Sequence, residues 1–352
     1  MMDIFDKAKK MEFPRTVYMG HDVLGKLPEM CESFRFGKTG LIVTGDNTYE
    51  AAGKLVEEHM SDGYDIHTLK TGYATLENLE EVKSVIRETG TTFILAVGGG
   101  SKIDLSKIAA DDMGMSFISI PTNAAHDGIA SGRASLKMDI GPQSVSATSP
   151  LGVLADTRII SKAPYRYLAS GCADVISNLA ALKDWKFAHR LRNDEFSRSA
   201  YSLSLYAAET IIENSELMRP DLEESVWLAM RPIIISGVSM SVAGSSRPTS
   251  GSEHMFSHAI DTMYPGRAMH GEQCGIGAIM MMYLHGGDWE IIRDSLENVG
   301  APITGKQIGL SDDEVIEALT AAAGIRKDRF TILGNGISRE AAANVAKETG
   351  VI

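Results

Sequence analysis

Phe93-Ile94-Leu95-Ala96-Val97-Gly98-Gly99-Gly100-Ser101-Lys102-Ile103-Asp104 decides the fold. Five apolar residues run into three glycines and then into a helical pattern. A short, unbroken apolar run stopped by glycine reads as a strand buried on both faces, as in parallel sheets. Working outward, residues 16–19, 40–45 and 65–69 are further strand patterns. Helical patterns at 22–32, 49–60 and 76–89 separate them. Beyond the glycines a helix is expected over 103–110 and a strand over 117–120, closed by Pro121. This βα alternation predicts a doubly wound parallel sheet.

Past Leu154 strand patterns nearly vanish. Helical periodicity runs through 163–185, 195–214, 222–242, 254–264, 271–284 and 290–299. Ser311-Asp312-Asp313-Glu314 is a capping box, and Ser338 opens a last helix. The expected class is α/β: a Rossmann-like dinucleotide-binding domain over 1–160, then an all-helical metal- and substrate-binding domain over 161–352. Residues 132–150, rich in Ser and Gly, read as a hairpin and loop at the sheet's rim.

A chain of 352 residues has length for two domains. Its net charge of −12 argues against nucleic acid as a partner, since no basic stripe exists to displace phosphate counterions. Three well-separated cysteines suggest neither disulfides nor a CxxC site and point to a reducing cytoplasm. The opening residues 1–7 lack the apolar core of a signal peptide. No apolar run reaches the roughly 18 residues of a spanning helix, so an integral membrane protein is not expected. The eighteen methionines read as packing filler.

Three stretches carry chemistry in the first half. Gly98, Gly99 and Gly100 let a backbone approach a phosphate, and the helix start at Ser101-Lys102-Ile103-Asp104 favours an anion. The pattern departs from G-x-G-x-x-G, because Ile103 stands where the last glycine would be. Thr122-Asn123-Ala124-Ala125-His126-Asp127-Gly128 follows the next strand, where loops line the ligand crevice of such sheets. Asp127 either faces a substrate hydroxyl or serves the turn. Asp46, after the second strand, either meets an adenosine ribose or caps a helix.

In the second half, His254 and His258 lie one helical turn apart, and His270 follows a Tyr-Pro-Gly turn. Imidazole is a common ligand for divalent transition metals, although each histidine also has an ordinary structural reading. Asp174 sits in an apolar helical stretch and needs a cation or a salt bridge. One Asp and two His suit Zn²⁺ with a position left open for water or substrate.

The order of these motifs resembles the group of glycerol dehydrogenase, iron-type alcohol dehydrogenase and 3-dehydroquinate synthase. Within it, Pro121–Gly128, Gly171–Asp174, Ser252–His258 and His270–Gln273 are most similar to the archaeal-type glycerol-1-phosphate dehydrogenase branch. The resemblance implies Asp174, His254 and His270 as ligands of one Zn²⁺ per subunit. It implies Asp127, Asp174 and His258 on the substrate. Gly98–Asp104, Thr122–Ala125 and Ser131 would touch NAD(P)H, with Asp46 beside the ribose. Iron-type alcohol dehydrogenases have a His where Asn178 stands, which favours zinc over iron. Asp174 differs from the Glu of dehydroquinate synthases.

The implied reaction is reduction of dihydroxyacetone phosphate to sn-glycerol 1-phosphate, the glycerophosphate backbone of archaeal-type membrane lipids. A cytoplasmic location is expected, and a large helical domain with exposed apolar surface suits a homo-oligomer. No basic cluster near the motifs marks the phosphate pocket; Arg158, Lys162 and Arg267 are candidates. The alternatives are a glycerol dehydrogenase, a dehydroquinate synthase-like lyase, and a regulatory protein on an inactive scaffold.

Overall fold

The computed structural model describes residues 10–138 and 141–352. The opening 1–7 segment therefore lies outside the described residues, as do 139–140 within the expected hairpin.

Six parallel strands form the main sheet: β1 (Thr16–Gly20), β2 (Thr39–Thr44), β3 (Asp65–Lys70), β4 (Phe93–Gly98), β5 (Ser116–Pro121) and β8 (Gly152–Asp156), in the order β1-β8-β5-β4-β2-β3. Every residue of β4 is buried. Its Ile94 and Ala96 join one core and its Phe93, Leu95 and Val97 join the other. That two-sided burial is why the sequence shows a continuous apolar run rather than alternation. One face is covered by α1 (Leu27–Phe34) and α3 (Lys54–Met60), through Leu27, Met30, Val56 and Met60. The opposite face is covered by α4 (Leu76–Thr89) and α5 (Gly100–Met113). The short α2 (Asp46–Thr48) leads into a π turn at Tyr49–Gly53, where the sequence suggests one uninterrupted helix.

One strand lies outside the expected set: β8 is inserted between β1 and β5, with Val153 opposite both Val17 and Ser119. The hairpin expected within 132–150 is formed by β6 (Arg133–Met138) and β7 (Gly141–Ser146), which pair antiparallel apart from the main sheet.

The helical part comprises α6 (Thr157–Ile160), α7 (Tyr165–Arg192), α8 (Arg198–Glu213), α9 (Glu223–Ala243), α10 (Ser252–Met263), α11 (His270–Leu284), α12 (Trp289–Asn298), α13 (Asp312–Ile325) and α14 (Arg339–Glu348). The Ser311 hydroxyl accepts from the Glu314 N–H, as the capping box requires. By length and composition α9 alone among the described helices could cross a membrane, with mean hydropathy 1.5, but 61% of its apolar window is buried inside the fold. Serines interrupt it, so no unbroken apolar run announces it. The core on the α4/α5 face of the sheet continues without a break into α7, α9, α10 and α11.

Three glycines set how closely these helices meet the sheet's loops. A Cβ at Gly171 on α7 would fall 1.8 Å from the Ala124 carbonyl oxygen. At Gly237 on α9 it would fall 2.4 Å from the Asp127 carbonyl oxygen. At Gly271 on α11 it would fall 1.9 Å from the Ser170 carbonyl oxygen. These are backbone-on-backbone contacts with no flexible end to yield. They bring the loop after β5 down onto α7 and α9, and the start of α11 onto α7.

Candidate active site

The sheet order reverses between β2 and β4, so their carboxyl ends open a crevice of the kind where open α/β sheets bind ligands. Gly98 and Gly45 both stand at this crevice. α5 begins at Gly100, three residues before the sequence suggests, with Gly99 extended as its N-cap and no acidic side chain in its first turn. The helix start is thus open to an anion. Two of the three glycines have a further reason. A Cβ at Gly99 would fall 2.7 Å from Asn123 Nδ2, and one at Gly100 would fall 2.1 Å from His126 Nε2. The loop 122–126 is therefore seated on the glycine turn.

The cofactor candidates separate by position. Asp46 is not a helix cap, since Gly45 occupies the N-cap of α2. Its side chain is 91% exposed, 3.9 Å from Lys70 Nζ. Lys102 donates to the Gly72 carbonyl. The Ile103 side chain is fully buried in the core. Thr122 donates its N–H to the Gly98 carbonyl at 3.1 Å. Asn123 Oδ1 accepts from the Ala125 N–H. Ala124 is buried against Gly171, and the Ala125 carbonyl accepts from Ser170. Asp104 and Ser131 line a cavity farther in.

That cavity, about 220 Å³, brings together Asp127, Asp174, His254, His258 and His270. His254 Nε2 and His270 Nε2 face each other at 3.2 Å. Each lies 3.8 Å from Asp174 Oδ1. The opposite ring nitrogens are taken. His254 Nδ1 meets Glu253 Oε1 at 2.9 Å, and that oxygen already accepts the Gly251 N–H at 2.6 Å, so Nδ1 carries the proton. His270 Nδ1 meets Ser257 Oγ at 3.1 Å, and that hydroxyl donates its own proton to Gln273 Oε1 at 2.6 Å. Burial pushes both imidazoles below their ordinary pKa, so both are neutral. Two Nε2 lone pairs therefore point at one another beside a buried carboxylate oxygen. That arrangement is repulsive without a cation among the three atoms. A tetrahedral ion with bonds of about 2.0–2.1 Å has ligand–ligand edges of about 3.3–3.4 Å, near these separations.

Asp174 divides its oxygens. Oδ1 faces the histidines, and Oδ2 accepts the Asp127 N–H at 3.1 Å. Burial raises the pKa of both carboxyls, and for Asp127 the neighbouring Asp174 adds to it. Asp127 Oδ2 accepts from Ser236 at 2.8 Å, and Ser236 in turn accepts from Asn178 Nδ2 at 2.9 Å. Asn178 thus props the loop residue rather than joining the convergent group. His258 also stays outside that group. Its ring centre is 6.3 Å from that of His254 and 6.0 Å from that of His270. Its Nδ1 is buried without a partner, and burial pushes it down to about 3. His126 turns back on its own loop, Nδ1 accepting from the Gly128 N–H at 2.8 Å.

A family model described as iron-containing alcohol dehydrogenase matches residues 18–164. Glycerol-1-phosphate dehydrogenase [NAD(P)+] of Methanosarcina mazei is 49% identical, over 99% of this chain and 98% of its own. That of Methanothermobacter thermautotrophicus is 48% identical, over 98% and 99%. The chain belongs to the glycerol-1-phosphate dehydrogenase family. Among solved structures, glycerol dehydrogenase from Schizosaccharomyces pombe aligns with a TM-score of 0.81 at 18% identity, over 98% of this chain and 91% of that one. A probable glycerol dehydrogenase from Sinorhizobium meliloti aligns with a TM-score of 0.79 at 18% identity, over 97% and 98%. At that identity the likeness concerns the fold.

In this glycerol-1-phosphate dehydrogenase family member, several site residues carry no sequence signal of their own. Glu253 orients His254 and is fully buried. Asp184, deep on α7, accepts from the Ser252 N–H at 2.7 Å, the Ile332 N–H at 2.6 Å and His285 Nε2 at 3.0 Å, and so fixes the start of α10. Lys107, fully buried, donates to the carbonyls of Gly128 and Arg133 and pairs with Asp104 at 3.5 Å. It ties α5 to the loop that carries Asp127. Cys274 also adjoins the ligand group, its thiol 3.6 Å from His254 Nδ1 and 3.6 Å from His270 Nε2. Arg158, Lys162 and Arg267 do not line the cavity. Arg158 is engaged with Asp22, and Arg267 with the Gly309 carbonyl.

Proposed function

We propose that this protein reduces dihydroxyacetone phosphate to sn-glycerol 1-phosphate with NADH or NADPH, using one Zn²⁺ held by Asp174, His254 and His270. The observation that carries the reading is the opposed pair of Nε2 lone pairs beside Asp174 Oδ1, in a cavity shared with Asp127 and His258. The family supports the substrate, since relatives of this similarity bear the name of that activity. A nitrogen–nitrogen–oxygen donor set suits zinc. A zinc ion there supplies Lewis-acid polarisation of a carbonyl oxygen.

The remaining work falls to the chain. The glycine turn and the start of α5 receive the cofactor's pyrophosphate at the switch point, and loop 122–125 lies against its nicotinamide half. Asp127, fixed by Asp174 and Ser236, orients a substrate hydroxyl. His258, neutral and unpartnered on one nitrogen, relays a proton from solvent to the carbonyl oxygen that becomes the product hydroxyl. The test is loss of NADH or NADPH absorbance with dihydroxyacetone phosphate, before and after a chelator. Consumption that depends on substrate and disappears with the chelator is expected. Consumption of neither nicotinamide would end the proposal.

A further inference from the structure

The cavity lining is of two chemical kinds. Beside the aspartates and histidines stand two arginines from distant parts of the chain, Arg133 on β6 and Arg326 just after α13. The hydroxyl-bearing Ser144 and Ser246 line the same space.

Arg133 has no carboxylate partner among the described residues. Its Nη2 donates to the Ser144 carbonyl at 3.1 Å and to Ser144 Oγ at 3.2 Å. Its Nε is buried with nothing to donate to. Burial, and then the charge of Arg326, hold its guanidinium below the usual pKa. Among the described residues Arg326 pairs only with Asp328, at 3.1 Å, whose carboxylate is largely exposed. Such a surface pair contributes little. Two guanidiniums that repel one another in a part-buried hollow are stabilised by an anion between them.

The serines are poised to donate. Ser144 Oγ accepts from Arg133, and Ser246 Oγ accepts from Arg329 Nη2 at 2.9 Å. Neither hydroxyl proton is used in a described hydrogen bond, so each is left for a ligand oxygen. Arg326 is also within electrostatic reach of His258. The cationic part of the lining is thus near the ring facing the reacting end. The planar fork of guanidinium matches phosphate oxygens, and two such forks balance the roughly −1.5 to −2 charge of a phosphomonoester.

We infer that Arg133 and Arg326, with the hydroxyls of Ser144 and Ser246, form the subsite for the phosphoryl group of the substrate. This rests on the reading of the substrate as a ketone phosphate. It makes phosphate recognition a property of the β6–β7 hairpin and the segment after α13, elements separate from the glycine turn that serves the cofactor.

The experiment compares kcat/KM for dihydroxyacetone phosphate with kcat/KM for dihydroxyacetone, in the zinc-loaded protein and in Arg133→Gln and Arg326→Gln. The ratio is expected to fall about tenfold or more in each variant, the equivalent of one lost charged hydrogen bond. Mere structural damage lowers both terms and leaves the ratio in place. A wild type that prefers the phosphate, with variants that keep its ratio, overturns the subsite while the activity stands. A wild type without preference for the phosphate overturns the substrate reading and the subsite with it. Calorimetry with inorganic phosphate is the second measurement. Binding to the wild type that weakens about tenfold in Arg326→Gln supports the subsite. Equal binding to the double variant overturns it.

Discussion

The backbone N–H of Asp127 donates to Asp174 Oδ2 at 3.1 Å, joining the loop after β5 to the middle of α7. One buried carboxylate thereby has two jobs. Its Oδ2 fixes the loop from the sheet, and its Oδ1 faces His254 and His270. The proposed metal and substrate residues are positioned by the same side chain. Removing it disturbs both.

The histidines divide accordingly. His254→Ala or His270→Ala is expected to lose bound zinc and activity together. His258→Ala should retain about one zinc per chain, with kcat lowered by about 10²–10⁴, the usual contribution of a proton-transfer group. Metal analysis of the purified variants beside their turnover checks this. Zinc loss from His258→Ala would place that ring among the ligands.

Cys274 adjoins the same group, 3.6 Å from His254 Nδ1 and from His270 Nε2, yet burial pushes its thiol well above its ordinary pKa, and a metal takes the thiolate. Cys274→Ala should therefore keep its zinc stoichiometry and lose only packing. A variant that comes off the column without metal would make the thiol a ligand.

Asn178 supports Asp127 through Ser236. Asn178→Ala is expected to bind zinc normally and to lose turnover by about tenfold, one neutral hydrogen bond's worth of positioning. Rescue by a serine or glutamine in its place is not expected, because neither reaches Ser236 with the same geometry. Zinc titration and kcat, measured on one preparation, separate the two effects.

Two positions far from the chemistry should report on assembly. Asp184→Ala strands the donors of Ser252, His285 and Ile332, and is expected to cost about 3–5 kcal/mol in urea unfolding. Gly271→Ala drives a Cβ into the Ser170 carbonyl and should cost about 1–3 kcal/mol. It also shifts His270, the preceding residue, so its zinc affinity should fall as well. A Gly271→Ala protein as stable as wild type would contradict the close approach of α11 to α7.

Much of this was legible because the signals are local. The β4–glycine–α5 run, the capping box at Ser311 and the spacing of His254, His258 and His270 each follow from neighbours along the chain. β8 was not legible. Gly152-Val153-Leu154-Ala155-Asp156 is short and buried throughout, so it lacks alternation, and its partner β1 lies far back in the sequence. Arg133 and Arg326 escaped for the same reason, since the fold alone makes them neighbours. Glu253 was hidden beside His254, where a charged residue ordinarily reads as solvated surface.

The most direct test of the account is a zinc titration of metal-stripped protein, following NADH or NADPH oxidation by dihydroxyacetone phosphate. The account predicts activity that rises linearly and stops at one zinc per chain. Full activity in the stripped protein, or none at any zinc level with either nicotinamide, would contradict it.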